Sequence, residues 1–227
     1  LEMADTDWHL PLVYDFLDKL DATILAATHS RLVVDLNRPP DDSRLYPGHD
    51  ATRLIPLDTL RKEAVYLGEP PDATEIAERI TTVWRPYHHA MATELERLRN
   101  RHRHVVVWDA QSMASELPQL FSGQLKDLNF GTADGASSDA RLIEAVLAPV
   151  KRQGKYSWSL NSYFRGGAIT HSFGNPEQGV HAIQLGLSRR THMNESPPFE
   201  FRGDLSRQLS SLLRECLTSA MRWTAER

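Results

Sequence analysis

The groups that could do chemistry in this chain gather where short apolar runs end. His104-Val-Val-Val-Trp-Asp-Ala-Gln-Ser112 stops on a carboxylate, an amide and a hydroxyl: Asp109, Gln111 and Ser112. Asp7 and His9, Asn37 and Arg38, Thr132 and Asp134, Arg165, His171, His181 and Gln184 stand at comparable strand ends. Arg38 and Arg165 suit a carboxylate ligand, because a guanidinium grips both oxygens in a fork. A competing reading pairs each with a local acid, Arg38 with Asp41 or Asp42. His181, inside an apolar run, reads more readily as a hydrogen-bonded core histidine than as a ligand. Asp109 and Ser112 also fit a strand exit where they cap turns.

Several chemistries find no support. There is no helical His-Glu-x-x-His, no cysteine cluster, no Gly-x-Ser-x-Gly elbow and no glycine loop to cradle phosphate. A metal site would have to be assembled from separate strand ends. The net charge of -4 over 227 residues argues against general nucleic-acid binding, which needs a basic face. Charged residues at 25% and apolar ones at 41% describe an ordinary globular chain. No apolar run approaches the roughly 18 to 20 residues of a membrane helix. The single cysteine, Cys216, leaves no internal disulfide and fits a reducing compartment and a buried structural thiol.

The elements that must hold these groups follow from periodicity. Residues 104–112 read as a buried strand of a parallel sheet, and in open α/β sheets ligands bind outside the carboxyl ends of strands. Asp5 or Thr6 is expected to cap a helix with Val13, Phe16, Leu17 and Leu20 on one face. Residues 23–27 and 31–36 read as short β-type runs, the second stopped by Pro39-Pro40. Residues 43–71 show no sustained period, the mark of a functional loop or flap. Asp72-Ala-Thr-Glu75 has the form of a capping box before a long helix, which Pro86 should kink near Trp84.

Residues 113–138 read as a polar loop, followed by a helix from about Ser138 to Arg152 with Gly154 as its stop. Residues 156–160, 168–173 and 180–187 read as strands, and a final amphipathic helix carries Leu205 through Met221. Strands alternating with long helices in one domain, 1–227, give an α/β layered fold.

Seven motifs occur in order: Asp5-Thr-Asp-Trp-His9, Ser30-Arg-Leu-Val-Val-Asp-Leu-Asn-Arg-Pro-Pro-Asp41, Trp84-Arg-Pro-Tyr-His88, Trp108-Asp-Ala, Asp127-Leu-Asn-Phe-Gly-Thr-Ala-Asp-Gly135, Arg165-Gly-Gly and Gly179-Val-His-Ala-Ile-Gln-Leu185. Together they resemble the N-formylglutamate amidohydrolase (deformylase) family, from about Asp5 to the C-terminus. The resemblance implies a cytoplasmic amidohydrolase cleaving N-formyl-L-glutamate, or a related N-acyl amino acid, to formate and L-glutamate in histidine breakdown. It also implies a zinc-exopeptidase-like (phosphorylase/hydrolase-like) fold, a three-layer, mixed and mainly parallel sheet with helices on both faces. A divalent metal, Zn2+ by expectation, would polarise the formyl carbonyl and activate water. The partner is then a small-molecule dicarboxylate, with no nucleic acid and no membrane; oligomeric state stays open.

On this basis Asp7 and Gln111 are the expected metal positions, with Asp109 orienting Gln111. Asn37, Arg38, Thr132, Asp134, Arg165 and Gln184 are expected to bind substrate, and His171 or His181 to take a metal or base role. Departures accompany the likeness. The family usually begins with a strand ending in Pro-His-x-Gly, and this chain starts beyond that point. Its Trp-Asp-Ala-His-Ser is here Trp108-Asp-Ala-Gln-Ser112, its Gln-Leu-Glu is Gln184-Leu-Gly186, and the Arg often found after Ile-Thr is His171. These departures keep an alternative open: a family member that binds a carboxylate ligand without hydrolysing it.

Overall fold

A computed structural model describes residues 5–46 and 52–226. Four strands, β1 (Val105–Met113), β2 (Leu128–Gly131), β3 (Trp158–Leu160) and β4 (Val180–Ser188), form one sheet in the order β1-β4-β2-β3. The β1–β4 and β2–β3 pairs are parallel and β2–β4 is antiparallel, so the sheet is mixed and mostly parallel. β1 stands at its edge.

Among the described residues six α-helices surround the sheet: α1 (Leu10–Val13), α2 (Ala73–Arg79), α3 (Arg85–Arg99), α4 (Ala140–Gln153), α5 (Ala168–Phe173) and α6 (Gly203–Ala225). Side chains alternate across a strand, and this period of two sorts β4 cleanly. Ile183, Leu185 and Leu187 join Leu128 and Phe130 of β2 in a core closed by α4 and α6 through Leu142, Val146, Leu209 and Leu213. The intervening residues, Ala182, Gln184 and Gly186, face the other way, toward α5 and α3. That second face is tied together by His88 of α3, which bonds the Leu36 carbonyl at 2.8 Å and stacks on Phe173 of α5.

Half of the capping box forms: Asp72 Oδ1 accepts from Glu75 N at 2.8 Å, while the Glu75 carboxylate pairs with Arg79. Where Pro86 removes a donor, the backbone passes through a π-turn at Ile80–Trp84 before α3 begins. Asp139 caps α4 through Arg141 N, and Gly154 ends it in a left-handed conformation, φ 65°. Cys216 is fully buried on α6, and burial pushes its thiol up to about 12.

Four expectations are corrected. Residues 23–27 and 31–36 are not strands. The second run instead winds through turns, because Arg31 pairs with Asp35 at 2.5 Å and Asn37 N donates to Asp35 Oδ1 at 3.0 Å. Residues 168–173 form α5 rather than a strand. Thr170 Oγ1 donates to Gly167 O, and Asn37 Oδ1 accepts from Ile169 N at 2.9 Å, so local capping outweighs β propensity.

Neither Asp5 nor Thr6 caps α1. His9 occupies the N-cap with φ 61°, while Asp5 Oδ2 accepts from Leu60 N at 2.7 Å. The polar stretch 113–138 also hides β2, whose four residues are all buried. Of the excursion 43–71, residues 47–51 lie outside the described ones; the rest carries one isolated bridge, Asp58 to Ala64.

Candidate active site

A cavity of about 1010 Å³ runs along β1 from Val106 to Met113 and reaches Gln184 in the middle of β4. Asp7, Asn37, Arg38, Asp109, Gln111, Arg165 and Gln184 all line it. Strand register explains part of the gathering. Asp109 lies beside Gln184 and Gln111 beside Gly186, so these four positions project from one sheet face in two adjacent rows.

Asp109 sits at the centre of an amide cluster. Its Oδ2 accepts from Asn37 Nδ2 at 3.0 Å and from Gln111 Nε2 at 2.9 Å, and Oδ1 takes no hydrogen bond among the described residues. Gln184 accepts from Asn37 at 3.3 Å through Oε1, and its amide NH2 likewise remains uncommitted. Asp7 opens onto the cavity and accepts from Ser112 N at 2.5 Å. Loss of solvation raises both carboxyl groups, Asp7 to about 6 and Asp109 to about 7. The Gln111 hydrogen bond works against the rise at Asp109, and the Asp7 charge adds to it.

Two glycines make this packing possible. A Cβ on Gly131 would come within 2.5 Å of Gly166 N, and one on Gly167 would overlap the Asn37 side chain. The loop 165–167 can therefore lie directly on β2, and Asn37 can lie against that loop.

The arginines differ in their commitments. Arg38 donates from Nε to Thr52 O at 2.9 Å and from Nη1 to Asn37 O at 2.8 Å; its nearest acid is Asp35, at 4.0 Å, rather than Asp41 or Asp42. Arg165 forks onto Asp134, with Nε to Oδ1 at 2.8 Å.

Thr132 and Asp134 are not among the cavity's lining residues. Thr132 is buried, with its hydroxyl accepting from Gly135 N at 3.1 Å, and Asp134 reaches the site only through Arg165. His171 on α5 is also set back, its Nε2 2.8 Å from Tyr46 Oη.

His181 is elsewhere. Its odd position on β4 turns it to the α6 face, where Nε2 lies 3.1 Å from His104 Nδ1 and Nδ1 accepts from Asp139 N at 3.2 Å. It has no contact with the Asp109 cluster. His9 bonds the Phe199 carbonyl at 2.7 Å, at the rim of the fold.

Arg31, Asp35 and Tyr46 are among the cavity residues that the sequence does not single out. Burial pushes Asp35 up, but Arg31 and Arg38 outweigh it and its pKa falls. The Arg31-to-Asp35 spacing of four was a signal available in the sequence; nothing local marked Tyr46.

Among the described residues no group of three His, Cys, Asp or Glu side chains could hold a metal ion. Asp7, Asp109 and Gln111 bring two carboxylates and a neutral amide, so the donors present do not make a complete seat for the implied cation.

A mixed sheet that carries a carboxylate and amides along the adjacent strands β1 and β4, beside cavity-lining guanidinium groups, defines an α/β protein with a polar cluster open to a cavity. The family model described as N-formylglutamate amidohydrolase matches residues 2–193, and the chain belongs to that family. It is 41% identical over 226 residues to the N-formylglutamate deformylase of Pseudomonas putida, covering 99% of this chain and 84% of that protein. The Pseudomonas aeruginosa N-formylglutamate deformylase is 44% identical over 229 residues, at 99% and 85% coverage.

Among solved structures, the N-formylglutamate amidohydrolase of Ralstonia eutropha JMP134 superposes with a TM-score of 0.72 at 24% identity, over 94% of this chain and 82% of that one. A protein from Agrobacterium tumefaciens follows at 0.59 and 19%, over 84% and 68%. These two likenesses concern the fold. No described helix is long and apolar enough to cross a membrane.

Proposed function

We propose that this protein hydrolyses N-formyl-L-glutamate to formate and L-glutamate. One observation carries the reading beyond the names of its relatives: Asp109, held by two amides on Oδ2 and raised to about 7, has Oδ1 free beside the unspent amide of Gln184. A carboxylate poised near neutrality is suited to proton transfer at working pH. In this reading Asp109 takes a proton from water at Oδ1 as the oxygen adds to the formyl carbon. The Gln184 amide donates to the developing oxyanion. The C–N bond then breaks as Asp109 returns the proton to the departing nitrogen, giving formate and the free amine. Arg38 and Arg165 grip the two carboxylates of the substrate, Asn37 orients Asp109, and Asp134 orients Arg165.

Zinc, implied by the family resemblance, enters no step here because the donor set falls short. It has a separate test. Gln111→His puts an imidazole at one of the two expected metal positions, with Asp7 at the other, and zinc retained after dialysis should rise above wild type. No rise would count against Asp7 and Gln111 as metal positions. The relation to zinc exopeptidases, the place in histidine breakdown and a cytoplasmic setting belong to the same proposal; a cavity beside the parallel β1–β4 pair of a mixed sheet supports the first of them.

The direct experiment is formate release from N-formyl-L-glutamate by purified protein, with zinc and with a chelator. Turnover in either condition is expected. A folded protein silent in both would sink the hydrolase reading and favour the binding alternative.

A further inference from the structure

Arg165 lines the cavity with part of its guanidinium uncommitted. Nε and Nη2 fork onto Asp134, while Nη1 makes no hydrogen bond among the described residues. The ring of Tyr46 lies 4.5 Å from the guanidinium carbon, close enough to hold the cation by its face. Tyr46 is held in turn, its Oη 2.8 Å from His171 Nε2 and the two rings meeting edge-on at 5.3 Å.

Asp134 reaches Arg165 from a left-handed conformation, φ 54°, preceded by Ala133 at φ 48°. Such backbone is costly for residues with a Cβ and persists only where its surroundings enforce it. Here the Ala133 N–H donates to Arg165 O at 2.6 Å, so the strained turn and the arginine are fastened to each other. Edge and face together fix the guanidinium plane. A free arginine would instead spread over many rotamers, and a carboxylate would have to order it on binding.

We propose that Tyr46 is a positioning residue for recognition of the substrate's side-chain carboxylate: it seats Arg165 so that the Nη1 side of the guanidinium receives that group. This rests on the hydrolase reading above. It deepens that reading by naming what separates a dicarboxylate from its amide analogue. Tyr46 touches no reacting atom, so its effect belongs in substrate capture rather than turnover.

The test compares wild type, Tyr46→Phe and Tyr46→Leu on N-formyl-L-glutamate and N-formyl-L-glutamine. Tyr46→Leu removes the ring and should raise KM for the glutamate substrate about tenfold, the scale of one well-formed cation–π contact, with kcat within about twofold. KM for the glutamine substrate should stay put. Tyr46→Phe keeps the ring while losing the His171 contact, and should stay within about threefold of wild type on both. A preference unchanged in Tyr46→Leu, or a loss falling equally on both substrates or on kcat, would overturn the inference and leave Tyr46 a packing residue. If wild type hydrolyses neither compound, the hydrolase reading falls, and calorimetry with L-glutamate and L-glutamine decides the inference alone. A glutamate preference abolished by Tyr46→Leu supports it, and equal affinities overturn it.

Discussion

The two sides of the β1–β4 pair carry titratable groups and finish them in opposite ways. Toward α6, His181 is closed in by His104, Asp139 and the edge of Trp223, and burial with the neighbouring His104 pushes its pKa down to about 4. It is neutral and has hydrogen-bond neighbours at both nitrogens. Toward the cavity, Asp7 and Asp109 are pushed up to about 6 and 7, and an Asp109 oxygen and the Gln184 amide are left over. Both faces shift titratable groups toward their neutral forms, although the Arg31–Asp35 pair on the cavity side keeps its charge. Only one leaves hydrogen-bonding capacity directed at open space, and that surplus, rather than the presence of titratable groups, marks the site.

The sharpest way to break this contrast is Asp109→Asn. The amide keeps an oxygen for Asn37 and Gln111 but cannot accept a proton, so kcat/KM for N-formyl-L-glutamate should fall by about 10² to 10⁴ while the protein stays folded. Formate release together with thermal unfolding checks both halves. Activity within tenfold of wild type would remove Asp109 from proton transfer. Next in size is the neighbour on the opposite face. Leu185 is fully buried, and Leu185→Ala should cost about 2 to 5 kcal/mol in urea denaturation. Turnover per folded molecule should hold, because the side chain points away from Gln184. A matching collapse of kcat at temperatures where the variant is folded would show that the faces are not separable.

Much of this separation could be read before any coordinates. The run 104–112 announced β1, and Asp72, Pro86 and Gly154 marked a cap, a distortion and a stop, because each acts through local backbone chemistry. Guanidinium chemistry singled out Arg38 and Arg165, and both line the cavity. The misplacement of His181 was avoidable: in a strand, positions 181 and 184 have opposite parity and cannot share a face. Other features depend on tertiary neighbours. Residues 168–173 look β-like until Asn37, distant in sequence, caps them as a helix, and Tyr46 acquires its role only from Arg165 and His171. β2 was hidden by its length, four residues in a polar stretch.

The smallest effect sharpens the contrast through pH. His181 and His192 are both held near 4 against an ordinary 6.5, so between those values the unfolded chain binds more protons. Their contribution is therefore present above about 6.5 and lost as pH falls toward 4, about 2 kcal/mol for each histidine between pH 7 and 5. Asp109 runs the other way. Its folded value of about 7 exceeds the ordinary 3.8, so its contribution is full below about 4 and lost as pH rises through 7. Acidification from 7 to 5 should return about 1 to 2 kcal/mol, discounted for water in the cavity. The Asp109 gain offsets part of the loss of about 4 kcal/mol from the two histidines, so wild-type stability should decline by about 2 to 3 kcal/mol over this interval. Asp109→Asn deletes the restoring arm, so its urea midpoint should fall more steeply than that of wild type between pH 7 and 5. Parallel curves for the two proteins would mean that Asp109 titrates as an ordinary carboxylate, which would also remove its fitness as a base at neutral pH.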